Sequence, residues 1–415
     1  MKVLVCGADG FLGRHIASAL IGKGHEILRG VHHPRQAGDI AMDYRRDVSM
    51  EHWLPRLVGI DAVVNAVGIL HERETGDFER VHQRTPEALF QACARTGIRR
   101  VIQISALGKA DTPYLTSKHD ADEALWRLLP EGVVVRPGLV FGRDGASTRF
   151  FLALSSLPVQ GSPWGAGPIQ PVHVDDVAKI VARLVDDTQT KGGLVEVPGP
   201  TRLSYGEWLA GYRTSLGLAP PLRLPIPGPL MTITAKIAGW FPGSLLSADT
   251  WAMLRAGNTG DPSQTAALLG HPMIPPNEFI VEQDREPLRL VALATWRNPL
   301  ARGVLAIIWL VSAMVSAGLS PLDDSLARLA PFGLSGWPAL SVLAVATFLD
   351  LAMGILTLLR PGRRLWQAQL LVVATYTLLV AWRLPAYLLE PFGPILKNLA
   401  VMALLFQLWS EEENQ

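Results

Sequence analysis

Lys2-Val-Leu-Val-Cys-Gly-Ala-Asp-Gly-Phe-Leu-Gly13 decides the fold. Val3 to Cys6 is a short apolar run, closed by a glycine and followed at once by a helix-like segment. That is the pattern of a buried strand feeding a helix. Gly7, Gly10 and Gly13 fall three residues apart in the turn between them. A glycine-rich turn of this kind lets backbone approach a pyrophosphate, and the helix start offers free N–H groups and a positive dipole end. The turn therefore predicts a dinucleotide cradle made by Gly7, Gly10, Phe11, Leu12 and Gly13. Its spacing is GxxGxxG rather than GxGxxG, so support must come from downstream.

The chain around it has 415 residues and a net charge of +1. The length suits two or three domains, and the charge gives no bulk case for nucleic-acid binding. Cys6 and Cys93 are too few for a disulfide framework and fit a reducing compartment. The first strand begins at the N-terminus, so the pattern predicts no secretory signal. Residues 1–290 read as a nucleotide-binding α/β domain, and no metal-ligand pattern is assigned. Beyond Asn298 the charge density collapses: 303–322, 329–349 and 365–382 hold no charged side chain. Uncharged apolar runs of about 18 residues or more are transmembrane candidates.

Within the first part, the helix after the glycine turn runs from Phe11 to Gly22, and Gly24 to Val31 reads as a second strand. The end of that strand selects between cofactors: a carboxylate binds the ribose 2′-hydroxyl, a basic group the 2′-phosphate. Here it reads Val31-His-His-Pro-Arg35, which predicts NADP(H) as the preferred cofactor over NAD(H), with His32 and Arg35 near the phosphate. Both also fit a solvated loop. Asp47 and Val48 are assigned to the adenine pocket, with helix capping by Asp47 as the alternative. Ile60 to Gly68 is a further strand, and Ala66 and Gly68 would let backbone lie against the cofactor. Pro86 to Thr96 is helical and Arg100 to Ser105 is again strand. Strands alternating with helices predict a mostly parallel sheet covered on both faces.

The chemistry sits in Ser105-Ala-Leu-Gly-Lys-Ala-Asp-Thr-Pro-Tyr114-Leu-Thr-Ser-Lys118. If Pro113 starts a helix, Tyr114 and Lys118 project from one face. A nearby ammonium favours the phenolate, so the pair can relay a proton near neutral pH. Ser105 ends a parallel strand, on the side where such sheets bind ligands.

Taken together, the glycine turn, Asn65-Ala-Val-Gly68, Ser105 and Tyr114 to Lys118 resemble the short-chain dehydrogenase/reductase superfamily. Val135 to Gly142 and Gln170 to Val177 resemble its extended and atypical branches. Over roughly 1–285 the chain is most similar to the group that includes the NADPH-binding accessory subunit of respiratory complex I. The resemblance implies a Rossmann-type doubly wound sheet. It makes Tyr114 the general acid/base, Lys118 the ribose ligand that lowers the tyrosine pKa, and Ser105 the substrate-orienting hydroxyl. Pro137, Gly138 and Leu139 would lie near the nicotinamide. Residues 144–285 would supply the substrate lobe: a helix around Phe150, a loop from Gly161 to Pro168, and Asp175 or Asp176 as a helix cap, with a catalytic role as the alternative. Pro220 to Pro229 with Trp240 and Phe241 would form a lid, a bilayer-facing surface or a packed loop.

The second part, 296–410, reads as four transmembrane helices, at about 302–321, 338–359, 365–386 and 391–410, and resembles the DoxX-like family. Arg297, Arg302, Arg360, Arg363 and Arg364 flank these runs. The positive-inside rule then puts the catalytic domain and both termini in the cytoplasm. Asp350, near the middle of the second helix, is a functional candidate or a packing hydrogen bond, and Lys397 is either its partner or snorkels to the nearest interface. The functional expectation is a membrane-anchored NADP(H)-dependent oxidoreductase acting on a small, apolar, lipid- or quinone-like carbonyl or alcohol. Two alternatives stand beside it: a non-catalytic NADPH-binding scaffold or sensor, and a sugar-nucleotide epimerase or dehydratase. No protein partner is assigned.

Overall fold

The computed structural model describes residues 1–187, 192–241, 244–388 and 396–412. The chain divides into two compact units, Met1–Leu293 and Ala294–Gln415. The first opens with β1 (Lys2–Cys6), α1 (Phe11–Gly22), β2 (Glu26–Val31), β3 (Ile40–Ala41), a single turn α2 (Met50–Trp53) and β4 (Ala62–Asn65). It continues with α3 (Thr85–Thr96), β5 (Arg100–Ile104), α4 (Pro113–Leu128), β6 (Val133–Pro137), β7 (Val140–Phe141), α5 (Ala146–Ser156), β8 (Val159–Pro163) and β9 (Val172–His173). Then follow α6 (Val174–Asp186), β10 (Gly193–Val197), α7 (Tyr205–Ser215), β11 (Leu222–Ile226), α8 (Gly228–Ala238), α9 (Ala248–Ala256) and α10 (Ser263–Leu269).

Seven strands form one parallel sheet in the order β10-β6-β5-β4-β1-β2-β3. Strand order reverses at β1, between β4 and β2. Such a switch point leaves a crevice at the carboxyl ends of the strands. Val3, Leu4 and Val5 of β1, with Val63 and Val64 of β4, are solvent-excluded because helices cover both faces. That explains strands that read as continuous apolar runs rather than alternating ones. Each such side chain contributes roughly 1.5–3 kcal/mol by leaving water.

Two expectations for the substrate side are corrected. The Gly161 to Pro168 and Pro220 to Pro229 segments are not only loop: β8 and β11 pair in parallel as a separate two-stranded sheet. With only two strands, each has a free edge, where Pro163 and Pro225 cost no ladder hydrogen bond. Asp175 and Asp176 do not cap α6. His173 is the cap, its Nδ1 accepting the Asp175 N–H, and the two carboxylates lie in the first turn. Buried Asp176 instead accepts the Ile274 N–H at 2.8 Å.

The second unit contains most of α11 (Glu282–Met314), then α12 (Leu322–Ala327), α13 (Gly336–Leu359), α14 (Arg363–Arg383) and α15 (Lys397–Glu411). Three helical stretches, Glu282–Leu319, Gly336–Leu359 and Arg363–Arg383, are long and apolar enough to cross a membrane. Of the expected fourth span, 391–395 lie outside the described residues. The described helix α15 has 15 residues, about 22 Å at 1.5 Å per residue, short of a hydrocarbon core of about 30 Å. Large apolar side chains point outward all around the unit, among them Ile307, Val345, Phe348, Leu371 and Leu378. Polar groups turn inward: Trp309 Nε1 donates to Gln369 Oε1 at 2.9 Å, and Gln369 Nε2 donates to Thr357 Oγ1 at 2.7 Å. Asp350 is buried, but no ion pair joins it to Lys397, which is exposed. Arg383 closes α14 with its guanidinium 4.5 Å from the Trp382 ring centre.

Candidate active site

The glycine turn is built as a cradle. Gly7 has φ +78°, a conformation that favours glycine, and its N–H bonds the Gly30 carbonyl at 2.8 Å. A Cβ on Gly13 would lie 1.9 Å from the Gly7 oxygen, so only glycine lets α1 start this close to β1. Gly10 caps α1 without a side-chain hydrogen bond, and the first turn holds no acid. The N–H groups of Gly7, Ala8 and Gly10 bond backbone carbonyls, so it is those of the first turn of α1, at Phe11, Leu12 and Gly13, with the helix dipole end, that are left for an anion. Phe11 lies over the loop after β7: a Cβ on Gly142 would meet its ring at 2.5 Å. These features fit a bound dinucleotide pyrophosphate.

Beside the turn is a cleft of about 220 Å³ lined by Asp9, Arg14, Arg29, Val31, His33, Arg35, Gln36 and Asp39. Arg35 is exposed and its guanidinium makes no ion pair among the described residues, whereas Arg14 pairs with Asp144 and Arg29 faces Asp39. Asp39 turns inward: its side chain is 3% exposed and accepts the N–H groups of Arg35 and Gln36. His33 lines the cleft, while His32 faces the Met42 carbonyl at 3.4 Å. Asp47 is committed to Arg56, at 2.7 Å, and to the Asp43 N–H, at 2.8 Å. Val48 next to it is 40% exposed.

At the carboxyl ends of β4 and β5, α4 begins where the sequence predicts. Thr112 caps it by accepting the Leu115 N–H, and Pro113 is its first residue. Tyr114 and Lys118 therefore lie one turn apart on one face. Lys118 is buried, and Nζ donates to the carbonyls of Val67 at 3.0 Å and Ile104 at 3.2 Å. An ammonium has three donors, so one remains. Burial lowers Lys118 to about 8, against the pull of Asp122. Tyr114 is half-buried, packed edge-on to His82 with ring centres 5.7 Å apart, and its hydroxyl has no hydrogen-bond partner among the described residues. Burial pushes its phenol up to about 12. The expected lowering by the lysine is absent: desolvation governs both groups.

Ser105 Oγ donates to the buried carboxylate of Asp122 at 2.8 Å. Arg136 holds the same Asp122 oxygen, with Nε at 2.9 Å. The serine hydrogen is therefore spent inside the protein, and only its lone pairs remain to accept. Burial raises the Asp122 pKa, while Ser105 and Arg136 work against that rise.

Three further groups were not singled out by the sequence. His82 Nε2 accepts the Ile69 N–H at 3.0 Å, so its proton sits on Nδ1 and donates to Ser117 Oγ at 2.8 Å. Burial and the Lys118 charge drive its pKa down to about 2, so it is a neutral brace beneath Tyr114. Solvent-excluded Asp77 binds Arg45 at 2.9 Å and Arg80 at 2.8 Å, pinning the segment between β4 and α3. Asn258 Oδ1 accepts the Leu139 N–H at 2.9 Å, and its Nδ2 donates to the Leu107 carbonyl at 2.5 Å. It thereby ties together the loops after β5 and β6. The Pro137, Gly138 and Leu139 segment follows β6; Gly138 N–H bonds the Val197 carbonyl, and a Cβ there would meet Asn258 at 2.9 Å. Ala66 N–H bonds the Cys6 carbonyl at 3.1 Å, at the switch point. Only Asp122, four residues after Lys118, carried a spacing signal.

A doubly wound sheet, a glycine cradle and a Tyr–Lys helix at the switch point define an NAD(P)-binding domain of the short-chain dehydrogenase/reductase type. A model of the NAD dependent epimerase/dehydratase family matches residues 3–197, and a DoxX-like family model matches 306–406. Over 254 residues the chain is 30% identical to the ceramide reductase of Caulobacter vibrioides, covering 57% of this chain and 78% of that one. It is 28% identical over 221 residues to the mouse mitochondrial NADH dehydrogenase (ubiquinone) 1 alpha subcomplex subunit 9, covering 48% and 56% of the two chains. It is 32% identical over 218 residues to the Arabidopsis thaliana form, covering 47% and 53%. The chain thus spans about half the length of these two mitochondrial relatives. Two solved structures share the fold. A Staphylococcus aureus nucleoside-diphosphate-sugar epimerase has TM-score 0.55, 20% identity and coverage of 68% and 99%. The human epimerase family protein SDR39U1, crystallised with NADPH, has TM-score 0.52, 19% identity and coverage of 70% and 99%. The chain belongs to the epimerase and short-chain dehydrogenase/reductase family of NAD(P)-binding proteins, and carries a C-terminal DoxX-like membrane domain.

Proposed function

We propose that this protein is a membrane-anchored, NADP(H)-dependent reductase of a carbonyl group on an apolar, long-chain lipid. One observation carries the reading: Tyr114, with a free hydroxyl, and Lys118, with one unspent donor, share the face of α4 at the switch point. Bound NADPH would supply the hydride to the carbonyl carbon. The phenol, protonated throughout the physiological range, suits donation of a proton to the carbonyl oxygen. The third donor of Lys118 would hold a ribose hydroxyl. The free guanidinium of Arg35 favours the 2′-phosphate and hence NADP(H). The lipid class is supported by the similarity to a ceramide reductase and by the membrane helices. Arginines at the helix ends favour a cytoplasmic domain, and α15 would complete a four-helix bundle.

Tyr114→Phe tests the chemistry. The expected outcome is loss of lipid-carbonyl reduction by roughly 10²–10⁴-fold with NADPH affinity retained; unchanged turnover would remove Tyr114 from the proton step.

A second reading, a non-catalytic NADPH-holding scaffold, is favoured by Ser105, whose hydrogen is given to Asp122 rather than to a substrate. Similarity to the complex I subunit agrees with it. Tight NADPH binding without oxidation across a panel of lipid carbonyls would select it. Epimerisation ranks below both, because the described residues between 144 and 285 offer no cluster suited to a sugar diphosphate.

A further inference from the structure

Helix α8 is inside out. A helix on a protein surface turns its apolar stripe to the core. In α8 the stripe Leu230, Ile233 and Ile237, at i, i+3 and i+7, points to solvent, with exposures of 53%, 55% and 46%. Its inner side is small and polar: fully buried Ala235, and Thr232, whose hydroxyl accepts the Trp251 indole N–H at 3.1 Å. The stripe continues past the helix end into Trp240 and Phe241, 80% and 66% exposed. Trp164, 63% exposed, stands at the other end, its carbonyl 3.4 Å from where a Cβ on Gly228 would be.

The charge of the segment itself is one-sided. Between Glu207 and Asp249 the sequence holds no acid, and its exposed charges are Arg223 and Lys236. An outward apolar stripe with aromatic ends and basic flanks is the composition of a helix lying in a membrane interface. The same chain carries three helices suited to crossing a bilayer, so a bilayer is within reach of this domain. We propose that α8 and the turn after it form a monotopic contact, with Leu230, Ile233, Ile237, Trp240 and Phe241 seated among the acyl chains of an anionic leaflet. The occupant is an anionic lipid surface rather than a second copy or another protein, because the exposed charges carried by the segment itself, Arg223 and Lys236, are both basic, the nearest acid in sequence, Asp249, being on the neighbouring helix α9. The proposal does not depend on turnover at Tyr114.

The full-length protein carrying Ile233→Cys, labelled with an environment-sensitive fluorophore, provides the test. Cys6 and Cys93 are buried and do not compete for label. In nanodiscs of phosphatidylcholine and phosphatidylglycerol, the label at 233 should shift to the blue and be quenched by doxyl-labelled lipid. A label at Val58→Cys, on a site 78% exposed, should do neither. A label at 233 that stays water-like overturns the contact. One that is shielded but not quenched by doxyl lipid also overturns it, since protein then covers the face. NADPH binding, measured on the same samples, is unaffected in every case.

Discussion

Gly68 and Lys118 share one corner of the sheet: a Cβ on Gly68 would stand 2.8 Å from Lys118 Nζ and 3.6 Å from His82 Nε2. The glycine therefore acts by making room for a buried ammonium. Gly68→Ala should push the amine off the Val67 and Ile104 carbonyls while leaving the strand intact. A misplacement near 1 Å costs on the order of 10² in turnover. The expected signature is that loss, with weaker NADPH binding and a nearly unchanged unfolding temperature. Steady-state kinetics with differential scanning fluorimetry checks it.

Burial lowers Lys118 from its ordinary 10.5 to about 8. Between those values the unfolded chain binds the proton that the folded chain has released. Stability from this group therefore rises as pH climbs from about 8 to about 10.5, and below 8 the folded state bears a buried charge. Cofactor-free protein should gain thermal stability over that window relative to Lys118→Met, which has no amine to titrate. Activity runs the other way: above about 8 the amine is neutral, so kcat/KM should fall as pH rises. A parallel fall in Lys118→Met would assign the pH dependence elsewhere.

Arg35 offers a direct test of cofactor preference. Its guanidinium has no ion pair among the described residues, and its cleft also holds His33 and Arg29. A charge-assisted contact is worth roughly 1.5–3 kcal/mol. Arg35→Ala should weaken NADPH about 10-fold or more and leave NADH unchanged, the difference shrinking at high salt. Equal losses for both nucleotides would mean that the arginine supports the fold of the loop. Fluorescence titration with each nucleotide separates the outcomes.

Much of this site follows from local spacing. The three glycines and the Tyr114–Lys118 interval are set by one turn and one helix, so their arrangement could be read before any tertiary contact was known. Pro113 marked the start of α4 for the same reason. The supporting groups depend on chain segments far apart. Asn258 reaches Leu107 across 151 positions, and His82 reaches Ser117 across 35. The direction of the Tyr114 shift was also hidden, because it turns on how completely the phenol is desolvated and not on its neighbour four residues on. Around α8 the apolar composition of Pro220 to Pro229, Trp240 and Phe241 was visible, but composition alone does not say which way a side chain faces. Prolines in the 159–163 and 222–226 segments concealed two short strands that pair only with each other.

The membrane unit makes its own prediction. Gln369 is solvent-excluded and spends both ends of its amide, accepting from Trp309 and donating to Thr357. It thereby joins α11, α13 and α14. Replacing it with Leu keeps the bulk but removes the amide, leaving the indole N–H without an acceptor. Such interhelical bonds average about 0.6 kcal/mol and reach roughly 2 in membrane helices. Gln369→Leu should therefore lower the unfolding temperature of the detergent-solubilised protein by a small, measurable amount, while Gln369→Glu, which keeps the acceptor, should restore the Trp309 contact. NADPH affinity should be equal in all three forms. A Leu variant as stable as the parent would mean that apolar packing around Trp309 and Trp366, rather than the hydrogen-bonded chain, holds the helices together.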